Sequence, residues 1–223
     1  SELSKLASNA MLAQRISSIN SLSALTEKTE AKINELSLAI GKDHRIGDKF
    51  LNVSPGFGGS CFKKDILNLV YICRQYGLEE VAEYWHQVVK INDYQRKRIF
   101  NIVKSSLVEL KNKKISILGW SFKKDTNDTR ESSAIPISSD LIINGANLKI
   151  YDPLAEKKQI IQDLTTYLES KNLNPKEIKS FLDQVKIQRT LSECLSNSNA
   201  IILLTEWDEF TQVDWQNNRL NTN

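Results

Sequence analysis

The segment Gly56-Phe57-Gly58-Gly59-Ser60-Cys61-Phe62-Lys63-Lys64-Asp65 holds the densest set of reactive groups in this sequence. Three glycines in four positions let a backbone approach a ligand closely and turn its amides toward an anion. Cys61 follows at the start of a run with helical periodicity. The open amides of a helix N-terminus, with Lys63 and Lys64, stabilise negative charge on a sulfur placed there, and this makes a thiol a nucleophile. Asp65 lies one turn further along the same face, where a carboxylate can position or deprotonate a water. The same spacing also fits a buried cysteine that caps a glycine turn.

Lys5 and Asn9 form another i, i+4 pair, on a helix whose opposite face is apolar. Spacing alone favours two solvated side chains, since exposed Lys is the norm. A third polar cluster, Trp120 to Glu131, follows an apolar run that ends at Gly119. Loops at the C-terminal ends of parallel strands are where such sheets take ligands, and Lys123 and Arg130 are natural partners for phosphate or carboxylate. A salt-bridged surface loop is the other reading. Gly119 stands alone, so a dinucleotide glycine fingerprint is absent at this strand. Neither His44 nor His86 has a setting that would activate a thiol, which disfavours a thiol hydrolase. No cysteine or histidine spacing suggests a metal. Cys194 lies beside Glu193, whose charge disfavours a thiolate.

Helices must position the first of these groups. Apolar residues recur at helical spacing from Leu3 through Leu6, Ala10, Ala13, Ile16, Ile19, Leu22 and Leu25. A second helix is predicted over 31–40, stopping at Gly41, and a third over about 61–76, ending at Gly77. A fourth, about 79–111, carries Val81, Trp85, Val88, Asn92, Ile99, Val103, Leu107 and Leu110 on one face. At roughly 45 Å it is long enough to bridge domains or pack against a partner subunit. The period changes near residue 112. Strands at 114–118, 148–151, 185–188 and 200–205 alternate with helices at 133–144 and 191–196 and one more after 154, which means βαβ units and a parallel sheet. The predicted class is α/β. An all-helical central domain over 1–112, with a long connecting helix, precedes a truncated Rossmann-like parallel-sheet domain over 113–223.

Composition removes several classes. The chain is 40% hydrophobic and 26% charged, ordinary for a globular protein. A net charge of +3 is too small to argue for nucleic acid or an anionic membrane as partner. No apolar run approaches the roughly 20 residues of a bilayer span. The opening SELSKLASNA is no secretory signal. It lacks Met and starts inside a helical pattern, as a piece of a longer protein would. Cys61, Cys73 and Cys194 are widely spaced and suggest no disulfide framework, which points to a reducing, cytoplasmic setting. The sequons at Asn52 and Asn127 then read as chance matches.

The stretches LSKLASNAMLAQRISSIN, GFGGSCFKKD, INDYQRKR, ILGWSFKKDTNDTRES and TEWDEF together resemble the UDP-glucose 6-dehydrogenases of the UDP-glucose/GDP-mannose dehydrogenase family. The match spans nearly the whole chain and is weakest over Leu154 to Arg189. The resemblance implies NAD-dependent oxidation of the 6-hydroxymethyl of UDP-glucose to the carboxylate of UDP-glucuronate. The route runs through an aldehyde, a thiohemiacetal and a thioester on the cysteine, which water hydrolyses. It implies Cys61 as nucleophile, Asp65 and Lys5 acting on the water and the developing oxyanion, and Asn9 holding the sugar. Substrate contacts would come from Lys5, Asn9, Asn52 to Gly58 with Phe57 among them, Phe50, Phe62, Phe122 and Lys123, and from Arg45 across a subunit boundary. Cofactor contacts would be Cys61, Phe62, Lys63, Lys64 and Arg130, with no metal. Position 52 is often Lys in animal members and is Asn here.

A homo-oligomer, dimer or hexamer, is expected through the long helix. The family's N-terminal glycine-rich fingerprint, its acid/base glutamate and its C-terminal substrate arginine have no counterpart in this sequence, so the chain alone is expected not to turn over UDP-glucose. A dehydrogenase for GDP-mannose or UDP-mannose is an alternative, disfavoured by SKLASNAMLAQRISSIN. A non-catalytic oligomerisation or nucleotide-sugar-binding module is another.

Overall fold

The computed structural model describes residues 2–215. The chain divides into two compact units, Ser1–Arg96 and Lys97–Asn223. The first is helical and the second carries a parallel sheet, the α/β order the sequence predicts.

The first unit contains α1 (Glu2–Thr29), α2 (Ile33–Gly41), α3 (Phe62–Gln75) and the start of α4 (Glu79–Leu107). Its core sets Ala10 and Ala13 of α1 against Ile66, Leu69, Val70 and Cys73 of α3 and Ala82, Val88 and Val89 of α4. Alanine at both α1 positions lets the helices approach closely. The rest of α1's inward face is polar, with Ser17, Asn20, Ser23 and Thr26 buried. Their hydroxyls find main-chain acceptors, Ser17 at Val88 O (2.8 Å), Ser23 at Asn20 O (2.7 Å) and Thr26 at Ser23 O (3.0 Å), so their burial orphans no donor.

Gly41 departs from its expected role. It is the last residue of α2, and Lys42 caps the helix in an ordinary right-handed conformation. A Cβ on Gly41 would lie 3.1 Å from Asp48 Cα, so glycine here accommodates the close return of the loop. Gly77 does end α3 as predicted, with φ of 71°.

The fourth helix stops at Leu107, before the expected 111, and Val108 turns left-handed with φ of 63°. The compact units part inside α4, whereas the change of periodicity lies near residue 112. Most of the predicted apolar stripe is covered within the chain: Val88 enters the first core, while Ile99, Val103 and Leu107 pack on the second. Of that stripe α4 leaves Val81 exposed, and off the stripe it exposes Tyr84, Tyr94 and Ile102.

In the second unit, β1 (Lys114–Leu118), β2 (Asn147–Tyr151), β3 (Val185–Ile187) and β4 (Ala200–Leu203) form a parallel sheet in the order β3-β2-β1-β4. Ile117 of β1 sits between Ile150 of β2 and Ile202 of β4. β1 is buried from Ile115 to Leu118, on both faces of the sheet, as a central parallel strand should be. Helices α5 (Ala134–Ile143), α6 (Lys157–Ser170), α7 (Pro175–Leu182), α8 (Leu191–Leu195) and α9 (Asp208–Thr211) complete the unit. Where the sequence predicts one helix after 154 there are two, because Asn174 and Glu177 form a capping box that starts α7 with Pro175 in its first turn.

Candidate active site

The loop 56–61 feeds directly into α3, with Cys61 as its exposed N-cap residue. The amide of Asp65 makes the first helical bond, to Cys61 O at 2.8 Å. The amides of Phe62, Lys63 and Lys64 therefore have no acceptor within the helix. Asp65 is 3% exposed, one turn along from Cys61. Its Oδ2 accepts from Asn9 Nδ2 of α1 at 2.6 Å. No further hydrogen bond reaches this carboxylate among the described residues, which leaves Oδ1 for a water or a substrate hydroxyl. A buried carboxylate with one neutral donor is unfavourable for stability, and such groups gather at functional sites. Lys5, one turn before Asn9 on α1, is exposed. Sequence spacing shows both i, i+4 pairs; the structure adds that α1 and α3 pack so that the two pairs meet at Asn9 and Asp65.

Polar side chains from α1 and α4 fix the loop that precedes Cys61. Asn92, 1% exposed, accepts from Phe57 N–H at 2.8 Å and donates to Phe57 O at 3.1 Å, the pairing a neighbouring strand would offer. Arg96, also buried, gives Phe57 O a second donor at 2.9 Å. Gln95 donates to Ser54 O at 2.9 Å, and Asn20 Oδ1 accepts from Ser54 N–H at 3.0 Å. The Phe57 ring is buried edge-on to Phe62, with centroids 5.8 Å apart. Both main-chain polar groups of Phe57 are thus taken by the protein. Sequence reasoning does not single out Asn20, Gln95 or Arg96. It places Asn92 within an apolar stripe, and that mismatch is the available signal, since a buried amide needs main-chain partners.

Arg15 organises the loop before that one. Its guanidinium donates to the carbonyls of Ile46 (2.8 Å), Gly47 (2.8 Å) and Lys49 (2.9 Å). Phe50 and Asn52 leave this loop exposed, Phe50 with φ of 62°. Arg45 pairs with Asp43 at 2.6 Å and holds that carboxyl below its usual range. Gly58 and Lys63 are half-buried and Lys64 exposed.

The remaining expected site residues stand on the loop after β1. Phe122 is half-buried; Lys123 is exposed with Nζ 5.8 Å from the Phe122 ring centroid. Arg130 grips Asp128 through Nε (2.9 Å) and Nη2 (2.7 Å), which keeps the Asp128 carboxyl below its usual range. A phosphate at Arg130 must compete with Asp128 for those donors. Elsewhere in this unit burial, and not the neighbouring Glu193 that the sequence suggests, pushes the Cys194 thiol up to about 11. Burial, with Glu209 as hydrogen-bond partner, raises Tyr151 to about 12. Among the described residues no cluster of His, Cys, Asp and Glu could hold a metal ion, and no helix is long and apolar enough to cross a membrane.

Both halves of the chain are similar to known proteins. The central domain of the UDP-glucose/GDP-mannose dehydrogenase family matches residues 1–94, and that family's UDP binding domain matches residues 116–222. UDP-glucose 6-dehydrogenase 3 of Arabidopsis thaliana is 52% identical over 96% of this chain, and UDP-glucose 6-dehydrogenase 1 of Glycine max is 51% identical over the same share. The chain spans about half the length of these relatives, 46% of each. Among solved structures, a UDP-glucose dehydrogenase from Pyrobaculum islandicum superposes with a TM-score of 0.79 at 28% identity, covering 96% of this chain and 45% of that one. A UDP-N-acetyl-mannosamine dehydrogenase from S. aureus shares the fold at a TM-score of 0.73 and 18% identity, over 99% of this chain and 45% of its own. With both halves matched by consecutive domains of one family, this chain belongs to the UDP-glucose/GDP-mannose dehydrogenase family.

Proposed function

We propose that the protein containing this chain oxidises the 6-hydroxymethyl of UDP-glucose to give UDP-glucuronate, with Cys61 as the nucleophile. The observation that carries this reading is the buried Asp65, held by Asn9 one turn from the exposed Cys61, in a chain about half identical to proteins named UDP-glucose 6-dehydrogenase. NAD, when bound, supplies the hydride acceptor. The N-terminus of α3, with Lys63 and Lys64, suits its diphosphate. Arg130 becomes available to it if Asp128 lets go.

The chain's own groups divide the remaining work. Cys61 Sγ attacks the aldehyde carbon, and the ammonium of Lys5 and the amide of Asn9 balance charge on the aldehyde oxygen. After the second oxidation, Oδ1 of Asp65 takes a proton from a water that attacks the thioester, and the sulfur leaves as thiolate. Phe57, through Asn92 and Arg96, holds the loop that lines the sugar along with Phe50, Asn52, Gly58 and Phe62. Phe122 and Lys123 meet the nucleotide. We place sugar and cysteine functions in 1–112 and nucleotide functions in 113–223. The assembly is a homo-oligomer that uses the exposed face of α4, with Tyr84, Tyr94 and Ile102, and Arg45 reaching a neighbour. The setting is cytoplasmic, in keeping with free thiols.

Alkylation of Cys61 tests the reading directly. UDP-glucose is expected to slow iodoacetamide labelling of Cys61 in this chain, with GDP-mannose at the same concentration leaving it unchanged. Stronger protection by GDP-mannose than by UDP-glucose favours the GDP-mannose alternative, and protection by neither overturns the assignment of this site to a nucleotide sugar. NADH release from UDP-glucose is expected to be absent with this chain alone, and robust turnover would show that the nucleophile half suffices.

A further inference from the structure

Asp152 stands at the C-terminal end of β2, and its carboxylate gathers donors from three strand ends. Oδ2 accepts from the main-chain amides of Trp120 (2.6 Å) and Ser121 (2.9 Å) and from the Trp207 indole (3.2 Å). Oδ1 accepts from the amides of Leu154 (2.9 Å) and Ala155 (2.8 Å) and from the Ser121 hydroxyl (3.4 Å). Thr205 then donates to Ser121 O at 2.6 Å. The residue immediately before Phe122 is therefore fixed at its N–H, its hydroxyl and its carbonyl. In dinucleotide-binding sheets, main-chain amides after the first strand receive a ligand phosphate, and an acid at the end of the second strand receives a ribose. Here the acid and those amides are joined to each other.

We propose that Asp152 is a built-in anion that fills this cradle, and that it acts as the positioning residue for Phe122 and Lys123. A nucleoside diphosphate is then taken by the outward side chains of the 122–130 loop, and not by amides or an acid at the strand ends. The part concerning nucleotide rests on the function proposed above. The part concerning the turn does not.

The test uses the full chain with Asp152→Asn and Asp152→Ala. In Asp152→Asn one oxygen becomes an NH2 group facing donors. The Ser121 and Phe122 amides are expected to exchange with deuterium about tenfold faster or more, since bonds to a charged acceptor are the strong ones. The amides of Ile115 and Ile117 in β1 should keep their wild-type rates. UDP affinity, read by calorimetry, should fall by about tenfold, and in Asp152→Ala formate should restore both the slow exchange and the affinity by returning an anion to the cradle. Unchanged exchange at Ser121 and Phe122, or a uniform rise across the sheet, overturns the positioning role. Unchanged UDP affinity in both variants overturns its link to binding. An Asp152→Ala chain that stays unfolded in formate also overturns the cradle, which would then need more than an anion. If wild type binds no UDP while the selective exchange effect appears, the turn assignment stands and the nucleotide-sugar reading falls.

Discussion

Asn9 Nδ2 lies 2.6 Å from Asp65 Oδ2, joining two helices more than fifty residues apart in the chain by a single side-chain bond to a buried carboxylate. The bond matters because of what its loss would leave. Asp65 has no other donor among the described residues, so Asn9→Leu puts an unpaired carboxylate below the surface. The expected cost is about 1–3 kcal/mol, the usual penalty for orphaning a buried polar group. Urea denaturation measures it. Asn9→Leu combined with Asp65→Leu should recover most of the loss. A double variant no more stable than the sum of the singles would mean that the pair is not coupled as the structure has it.

Cys61 should be alkylated fastest of the three thiols in the folded chain. Cys61 is exposed, whereas Cys73 and Cys194 are buried, and burial raises Cys194 to about 11. Limiting iodoacetamide at pH 8, followed by peptide mass mapping, gives the order. Labelling of Cys61 no faster than of the buried pair would remove the physical case for it as nucleophile.

Arg96→Met should loosen the loop before Cys61 without unfolding α4. The methionine keeps the aliphatic stem but removes the donor to Phe57 O, a loss of about 1.5–3 kcal/mol for a bond from a charged group. Asn92 still pairs with the same peptide at 2.8 and 3.1 Å, so the effect belongs at the low end. Asn92→Ala in the same background should cost more than it does alone, because Phe57 then keeps neither partner. Amide exchange at Phe57 reads both steps, and strict additivity would count against a shared anchor.

The elements were legible in the sequence wherever periodicity is strong: α1, α3, α4 and the strands β1 and β4 lie within a few residues of their predicted bounds. The division into helical and parallel-sheet parts followed from the change of period. The pairing of Asn9 with Asp65 was not legible, since spacing orders residues along one helix but says nothing of which helices meet. Asp152 is a similar case: an Asp-Pro after a strand reads as a turn, and its six donors come from three separate strand ends. Of the two expected uses of α4's apolar stripe, most of it serves the chain's own two cores, with Val81 left exposed. Gly41 misled in a different way, because glycine serves both left-handed caps and close approach, and composition does not separate them.

Gly119→Ala should be among the most damaging small changes in the second unit. Gly119 has φ of 91°, and a Cβ there would fall 2.6 Å from Thr205 Oγ1 and 2.7 Å from Thr205 N. Strain and overlap together predict a loss of about 3 kcal/mol or more. Thr205→Ala should not rescue it, because the backbone nitrogen stays in place. Thermal melting of the single and double variants decides; a melting temperature restored by Thr205→Ala would mean that the side chain alone was the obstacle.

Stability of the second unit should fall as pH rises from 9 to 11, in part through Cys194. Its thiol ionises near pH 9 when the chain is unfolded but only at about 11 in the fold, because burial disfavours the thiolate. The folded state therefore holds its proton over a range where the unfolded state has lost it. Stability from this group is fully present below pH 9 and disappears as pH climbs through 11, by about 3 kcal/mol at most. Tyr151, raised to about 12 by burial and Glu209, adds a loss of the same sign that begins above pH 10. Cys194→Ala should flatten the slope between pH 9 and 10, where Tyr151 has barely begun to contribute, while lowering stability at pH 7 through the lost packing. Urea midpoints at pH 7, 9 and 10 give the comparison. An unchanged slope in Cys194→Ala would show that the thiol ionises alike in both states and that its burial does not hold in solution.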